Sequence, residues 1–328
     1  MLRKLIVLLV LLVGVAPTVS AQSSAPLPVE RCVNLGNMLE APNEGEWGLS
    51  VEEYYFQTIA DAGFDAVRIP TKWSGHADFE PPYTIDPNFF ARMDEVIGWA
   101  LDANLTVILN IHHYDELAWE PEAHLGRVLA LWDQIGAHYA DYPDTLIFEA
   151  MNEPNSALTP ELWDTMQPQV IAAIRATNPE RTIIVGGGYW NSLDGLLEMA
   201  IPQDDHLLAT FHFYDPFEFT HQGAEWVEGM DVYLGTLWGS ASDLAFITER
   251  LDLAGDWSAR TGIPVLMGEF GAYSRADQAS RLKWTAFVRE TAEAEGLGWC
   301  YWEFGAGFGI FDTGTRQYND LLPTLIPE

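Results

Sequence analysis

Short apolar runs alternating with stretches of helical periodicity predict an α/β fold for this chain of 328 residues: a single-domain (β/α)8 TIM barrel. Three observations carry that expectation. Eight apolar runs of strand length recur along the chain, with helical segments between most of them. Several runs are apolar on consecutive positions, as parallel strands covered on both faces require. Their C-terminal ends carry polar and aromatic residues, on the face where a barrel of this kind presents its chemistry. A doubly wound open sheet is the alternative. It would carry a Gly-x-Gly-x-x-Gly turn after the first strand; none is present, and Gly186-Gly187-Gly188 lacks that spacing.

The strands are read in order at Cys32–Asn37, Ala66–Pro70, Thr106–His112, Leu146–Asn152, Thr182–Gly186, Leu207–His212, Pro264–Glu269 and Gly298–Trp302. Helical spacing occupies Val51–Ala62, Phe89–Ala103, Leu125–Ala140, Leu162–Thr177, Asp243–Thr261 and Gln278–Glu295. Gly63, Pro143, Pro179 and Gly262 punctuate the junctions, where a helix must stop or the chain must turn. A long insertion, Tyr214 to Trp238, follows the sixth strand and reads as a wall above the barrel.

Arg3 and Lys4, the apolar stretch Leu5–Val15 and the small-residue site Val19-Ser20-Ala21 form a secretory leader, with cleavage expected after Ala21. The apolar stretch is short for a membrane anchor, the rival reading. Residues 1–21 are therefore leader and 22–328 the functional domain, with no Pro/Ser/Gly-rich linker dividing it. Forty-eight acidic residues against sixteen basic ones would repel phosphate backbones and anionic lipid, which argues against nucleic acid or a membrane surface as partner. A neutral polymer is compatible. Cys32 and Cys300 meet if the sheet closes on itself, but bridging adjacent parallel strands strains disulfide geometry, so two buried thiols are the favoured expectation.

Chemistry concentrates at two strand ends. Leu146-Ile147-Phe148-Glu149-Ala150-Met151-Asn152-Glu153-Pro154 ends an apolar run in a carboxylate, and Pro264-Val265-Leu266-Met267-Gly268-Glu269-Phe270-Gly271 repeats the pattern. Two carboxylates so placed suit glycosidic cleavage, where one protonates the leaving oxygen and the other traps the sugar cation. With Val67-Arg68-Ile69-Pro70, Asn110-Ile111-His112-His113-Tyr114, Phe211-His212-Phe213-Tyr214 and Tyr301-Trp302-Glu303-Phe304 in order, the chain resembles glycoside hydrolase family 5, from about Cys32 to Leu322. The resemblance is to its single-domain bacterial endoglucanases, some of which also cut mannan; Asn37–Gly45 and Pro216–Trp226 share that likeness.

By that resemblance Glu153 is the acid/base and Glu269 the nucleophile of a retaining hydrolase. The charge of Glu269 is expected to help raise the pKa of Glu153. Arg68 is expected to hold Glu269 ionised, Tyr214 to donate to it, and Asn152 to bind the sugar 2-hydroxyl. His112, His113 and His212 are expected to bond sugar or the catalytic carboxylates. Glu149, mid-strand, reads as a structural ion pair. Asn37, Glu40, His113, His221, Trp226 and Trp302 are the candidate sugar contacts, with Trp302 as the stacking platform. Phe217 and Phe219 are read as pinning the insertion, and Trp47, Trp73 and Trp119 as candidate distal subsites. A histidine-carboxylate metal site is weighed and set aside: His112 and His113 leave opposite faces of a strand, and no ligand motif accompanies them. The reading is a secreted, monomeric endo-β-1,4-glucanase needing no cofactor. A mannanase or dual-specificity enzyme is the alternative, and a transglycosylase or silent sugar-binding barrel ranks below it.

Overall fold

The computed structural model describes residues 27–327, so the leader expected over residues 1–21 lies outside the described residues. Eight parallel strands close into one barrel in chain order: β1 (Arg31–Asn34), β2 (Ala66–Ile69), β3 (Thr106–Asn110), β4 (Leu146–Glu149), β5 (Ile183–Gly186), β6 (Leu207–Phe213), β7 (Val265–Phe270) and β8 (Gly298–Tyr301). Closure is made by β1 pairing with β8, where Cys32 stands opposite Cys300. Among the described residues, no helix is long and apolar enough to cross a membrane.

Side chains alternate across each strand, so the barrel has two separate apolar surfaces. Cys32, Ala66, Ile108, Ile147, Ile184, Leu208, Leu266 and Cys300, one from each strand, form a closed plug inside. Residues such as Val33, Val67, Val107, Phe148 and Val185 face outward into a larger core with the helices. One pleat above the plug the interior turns polar: Asn34, Arg68, Asn110, Glu149, Thr210 and His212 are all buried. This polar layer is the base of the cleft.

Helices Pro87–Asp102, Pro121–His138 and Pro160–Arg175 begin two to four residues before the sequence reading placed them. Proline occupies the first helical position in each, where its missing N–H costs nothing. Asp86, Thr159, Ser240 and Asp277 cap four helix starts with side-chain oxygens, and Gly262 ends Ala241–Thr261 in a left-handed conformation (φ 74°). Strands β1, β3 and β4 stop two to three residues earlier than read, because their last predicted residues lead into irregular backbone with positive φ at Asn37, His113 and Glu153.

The expectation of two free thiols is corrected. Cys32 and Cys300 form a disulfide, with Cα atoms 4.1 Å apart, across 268 residues of chain. Barrel closure brings the two together as expected, and their in-register pairing on the inner face places the side chains side by side, within reach of a bridge.

Candidate active site

Arg68 is the centre of the polar layer. Its guanidinium is fully buried and donates in a fork to Glu149, with Nε to Oε2 at 2.6 Å and Nη2 to Oε1 at 2.8 Å. The remaining hydrogens reach Asn34 Oδ1 (2.9 Å), Glu269 Oε1 (2.6 Å) and Asn152 Oδ1 (2.7 Å). One cation from β2 thereby ties β1, β4 and β7 together at the cleft base. Glu149 is the structural ion-pair partner expected of it.

Glu269, on β7, also accepts from Tyr214 Oη at 2.9 Å. Burial pushes the Glu269 carboxyl up, and the Glu153 charge adds to that, while His212, Arg68 and the Tyr214 hydroxyl pull it down. The Glu153 carboxylate has one bonded partner, His212 Nδ1 at 2.8 Å, and the side chain keeps about a quarter of its surface (26%) open to the cleft. Burial pushes its pKa up to about 7, against the Arg68 charge and with a further contribution from Glu149. The sequence reading gave Glu269 that contributing part; desolvation is the larger cause, and the neighbouring charge that adds to it is Glu149. Burial also holds His212 down to about 4, so at neutral pH its ring is uncharged and Nδ1 can carry the proton bonded to an ionised Glu153.

One oxygen of Glu153, one of Glu269 and one ring nitrogen of His212 all lie within 4.8 Å of one another. These three groups have the count to hold a metal ion. The positive partner of the cluster is already built in, however, as Arg68 at 2.6 Å from Glu269.

Above this base lies a cleft of about 530 Å³. It collects Asn37, Glu40, His112, His113, Glu153, Tyr214, His221, Trp226, Glu269 and Trp302 from the sequence-predicted set. Arg68, Asn152 and His212 sit beneath them and act on the lining from behind. His112 and His113 were expected to leave opposite faces, and that is corrected. They lie past the end of β3, His113 has φ 45°, and the two rings meet edge-on at 4.5 Å on the same cleft wall. His112 lies parallel to Trp302 with ring centres 6.0 Å apart. Glu40 lines the cleft but directs its carboxylate back onto the Asn37 and Met38 N–H groups, and burial pushes it up to about 7.

The insertion after β6 forms a wall, as read. Trp226 packs edge-on against Tyr273 at 4.9 Å, and the Tyr273 hydroxyl donates to Glu225 Oε2 at 2.8 Å. Phe219 is buried against Trp238 and Trp284, as a pin should be, whereas Phe217 is 41% exposed and stacks on His221 at 4.0 Å. Of the three distal candidates only Trp47 lines the cleft, edge-on to His113 at 5.8 Å. Trp73 is wholly buried, donating Nε1 to Asn110 O, so its subsite role is corrected to a core one. Trp119 is exposed but outside the cleft lining. Tyr273 and Phe308 line the cleft and were missed. Their only sequence signal is aromatic character a few residues beyond strands β7 and β8.

The chain matches the family model for cellulase (glycosyl hydrolase family 5) over residues 32–307. It is 40% identical over 286 residues to Endoglucanase H of Acetivibrio thermocellus, covering 87% of this chain and 30% of that protein. Against Endoglucanase A of Ruminococcus albus it is 30% identical over 331 residues, covering 90% and 89%. The chain thus spans about a third of the first two curated relatives it matches, 30% and 35% of their lengths. Cel5A of Thermotoga maritima, solved in complex with cellobiose and with mannotriose, superposes with a TM-score of 0.90 at 47% identity, covering 91% of this chain and 97% of that one. A closed parallel barrel with Glu153 beyond the end of β4 and Glu269 on β7, and a family match across most of its length, place this chain in glycosyl hydrolase family 5.

Proposed function

We propose that this chain is a secreted, monomeric endo-β-1,4-glucanase that retains anomeric configuration, with Glu269 as nucleophile and Glu153 as acid/base. The observation that carries the mechanism is the approach of the two carboxylates, oxygen to oxygen within 4.8 Å. That spacing suits direct attack on the anomeric carbon and is shorter than the carboxyl separation with which an inverting enzyme accommodates its water. An oxygen of Glu269 bonds to C1 as the glycosidic C1–O bond breaks, and the proton of Glu153 passes to the departing oxygen. Water then attacks C1 and gives its proton to Glu153, while the C1–O bond to Glu269 breaks.

The environments fit these roles. Glu269 faces two donors, Arg68 Nη1 and Tyr214 Oη, which stabilise its anion and aim it. Glu153, raised to about 7 by burial, carries a proton near neutral pH, and His212 Nδ1–H receives its anion after the first step. Asn152 spends its oxygen on Arg68, which leaves its NH2 for the sugar 2-hydroxyl. Trp302 and Trp226 supply apolar faces for pyranose rings. Secretion rests on the leader pattern at residues 1–21. Tolerance of β-mannan is the second reading, supported by the mannotriose complex of the Thermotoga relative.

Sugar release from barley β-glucan and from glucose-free β-mannan, measured side by side, tests the assignment, with Glu269→Ala as control. Release from glucan alone defines a glucanase that discriminates at C2; release from both defines a dual enzyme. Silence on both, or activity surviving in Glu269→Ala, removes the assignment. A first-formed product with inverted configuration by NMR removes the mechanism.

A further inference from the structure

The chain following β5 contains a feature the mechanism has not used. Gly187 and Gly188 leave no room for side chains: a Cβ on the first would lie 2.0 Å from Gly195 O, and on the second 2.7 Å from Pro160 Cγ. Tyr189, Trp190 and Asn191 then make one left-handed turn, with φ of 53°, 58° and 52°. None of the three is glycine. Left-handed backbone is unfavourable for residues with a Cβ, so three in succession persist only where their surroundings over-determine them.

The contacts of this turn converge on one place. Asn191 is completely buried, and its amide, oriented to satisfy both neighbours, donates to Gly187 O at 2.8 Å and accepts the Glu153 N–H at 3.3 Å. Trp190 N–H donates to Pro154 O at 3.1 Å. Glu153 itself has φ 46°. The β4–β5 pairing ends at Glu149 and Ile184, with one more bond from Ala150 N to Ile184 O at 3.0 Å. Above that point the left-handed turn takes over from the ladder and grips the peptide groups on both sides of the Glu153–Pro154 link.

We infer that Asn191 is a positioning residue for Glu153, and that the turn at 189–191 is a clamp which fixes the backbone carrying the proton donor. The inference rests on the reading of Glu153 as acid/base. Its chemical consequence is specific: a displaced proton donor harms departure of a basic leaving group, and is irrelevant to a leaving group that departs as a stable anion.

The test compares barley β-glucan with 2,4-dinitrophenyl β-cellobioside, whose phenolate leaves without a proton. Glycine adopts the left-handed conformation freely, so Asn191→Gly deletes the amide bridge without adding backbone strain. We expect kcat/KM on glucan to fall about tenfold to a hundredfold with most of the loss in kcat, while the dinitrophenyl substrate stays within about threefold. The ratio of the two activities in one preparation is independent of the folded fraction, so a poorly folding variant still gives an answer. Equal losses on both substrates, or none on either, overturn the clamp. Glu153→Ala, assayed alongside, must show the same leaving-group bias in larger form and faster turnover of the aryl substrate with added azide. If it shows neither, the acid/base reading fails and takes this inference with it. If it shows both while Asn191→Gly does not, only the clamp fails.

Discussion

Replacing Arg68 with methionine separates the stabilising and catalytic duties of the cation at the cleft base. The change leaves Glu149 and Glu269 buried, at 1% and 4% exposure, without the guanidinium that bonds both. Removing one partner from a buried ion pair costs about 3–5 kcal/mol, chiefly because the other charge is stranded. For a chain of this size that corresponds to a fall of roughly 4–7 °C in melting temperature. The two stranded carboxylates are not equivalent. Glu149 keeps only a long contact with Asn110 Nδ2 at 3.5 Å, while Glu269 keeps the Tyr214 hydroxyl at 2.9 Å and an open cleft above it. Most of the loss therefore belongs to Glu149. Adding Glu149→Gln to Arg68→Met should recover about half or more of the melting temperature, since it removes the worse of the two charges. It should recover none of the activity. Without Nη1 at Glu269, burial drives this proposed nucleophile toward its neutral form, and kcat should remain down by about a hundredfold or more in both variants. Calorimetry and β-glucan hydrolysis on the two variants and the parent decide the matter. A double variant no more stable than the single, or one with restored turnover, would refute the division of roles.

Three further outcomes are expected. In the proposed acid/base role Glu153 acts when protonated, and burial places its pKa at about 7, so kcat/KM on glucan should fall as pH rises through that value. Its folded-state pKa is raised, so its contribution to stability is complete below the ordinary carboxylate range and is lost as pH climbs toward about 7; melting curves of Glu153→Gln should lack that component. The Cys32–Cys300 bond spans 268 residues, and the chain-entropy model assigns such a loop about 5.6 kcal/mol. A Cys32→Ala/Cys300→Ala protein should melt well below the parent, and the parent denatured without reductant should release no titratable thiol; two thiols in that assay would remove the bridge. Trp73→Ala should cost about 3–5 kcal/mol as a core cavity with little change in KM, whereas Trp302→Ala should raise KM with little change in melting temperature. A reversed pattern would mean the two tryptophans have been assigned to the wrong places.

The barrel was legible because its strands are buried on both faces and its helices are amphipathic, two patterns that a linear chain records directly. The glutamates were legible because each closes an apolar run. What the sequence concealed depends on register and handedness. Cys32 and Cys300 lie one pleat below the polar layer and directly opposite each other, which follows from how the barrel closes. His112 and His113 share a wall because the strand stops at Asn110 and His113 turns left-handed, and no residue type announces that. Trp73, Trp47 and Trp119 look alike in sequence, each following a strand or a helix start, and only packing sorts one into the core, one into the cleft and one outside it. The left-handed turn at 189–191 had a faint signal, since Gly186-Gly187-Gly188 precedes it and asparagine tolerates that conformation.

Glu303 sets a limit on which parts of this chain can vary. Its buried carboxylate accepts the backbone N–H groups of Gly305, Ala306 and Phe308, and through them shapes the segment that borders both the cleft and a neighbouring hollow of about 320 Å³. The grip is on main chain, which every residue except proline offers in the same form. The partly exposed side chain of Ala306, and that of Phe308 in the cleft lining, can therefore be exchanged while the segment's path is kept. A library confined to Ala306 and Phe308, with Glu303 and the neighbouring glycines held constant, varies the border of the cleft on a fixed frame, whereas changes at Glu303 alter the frame itself.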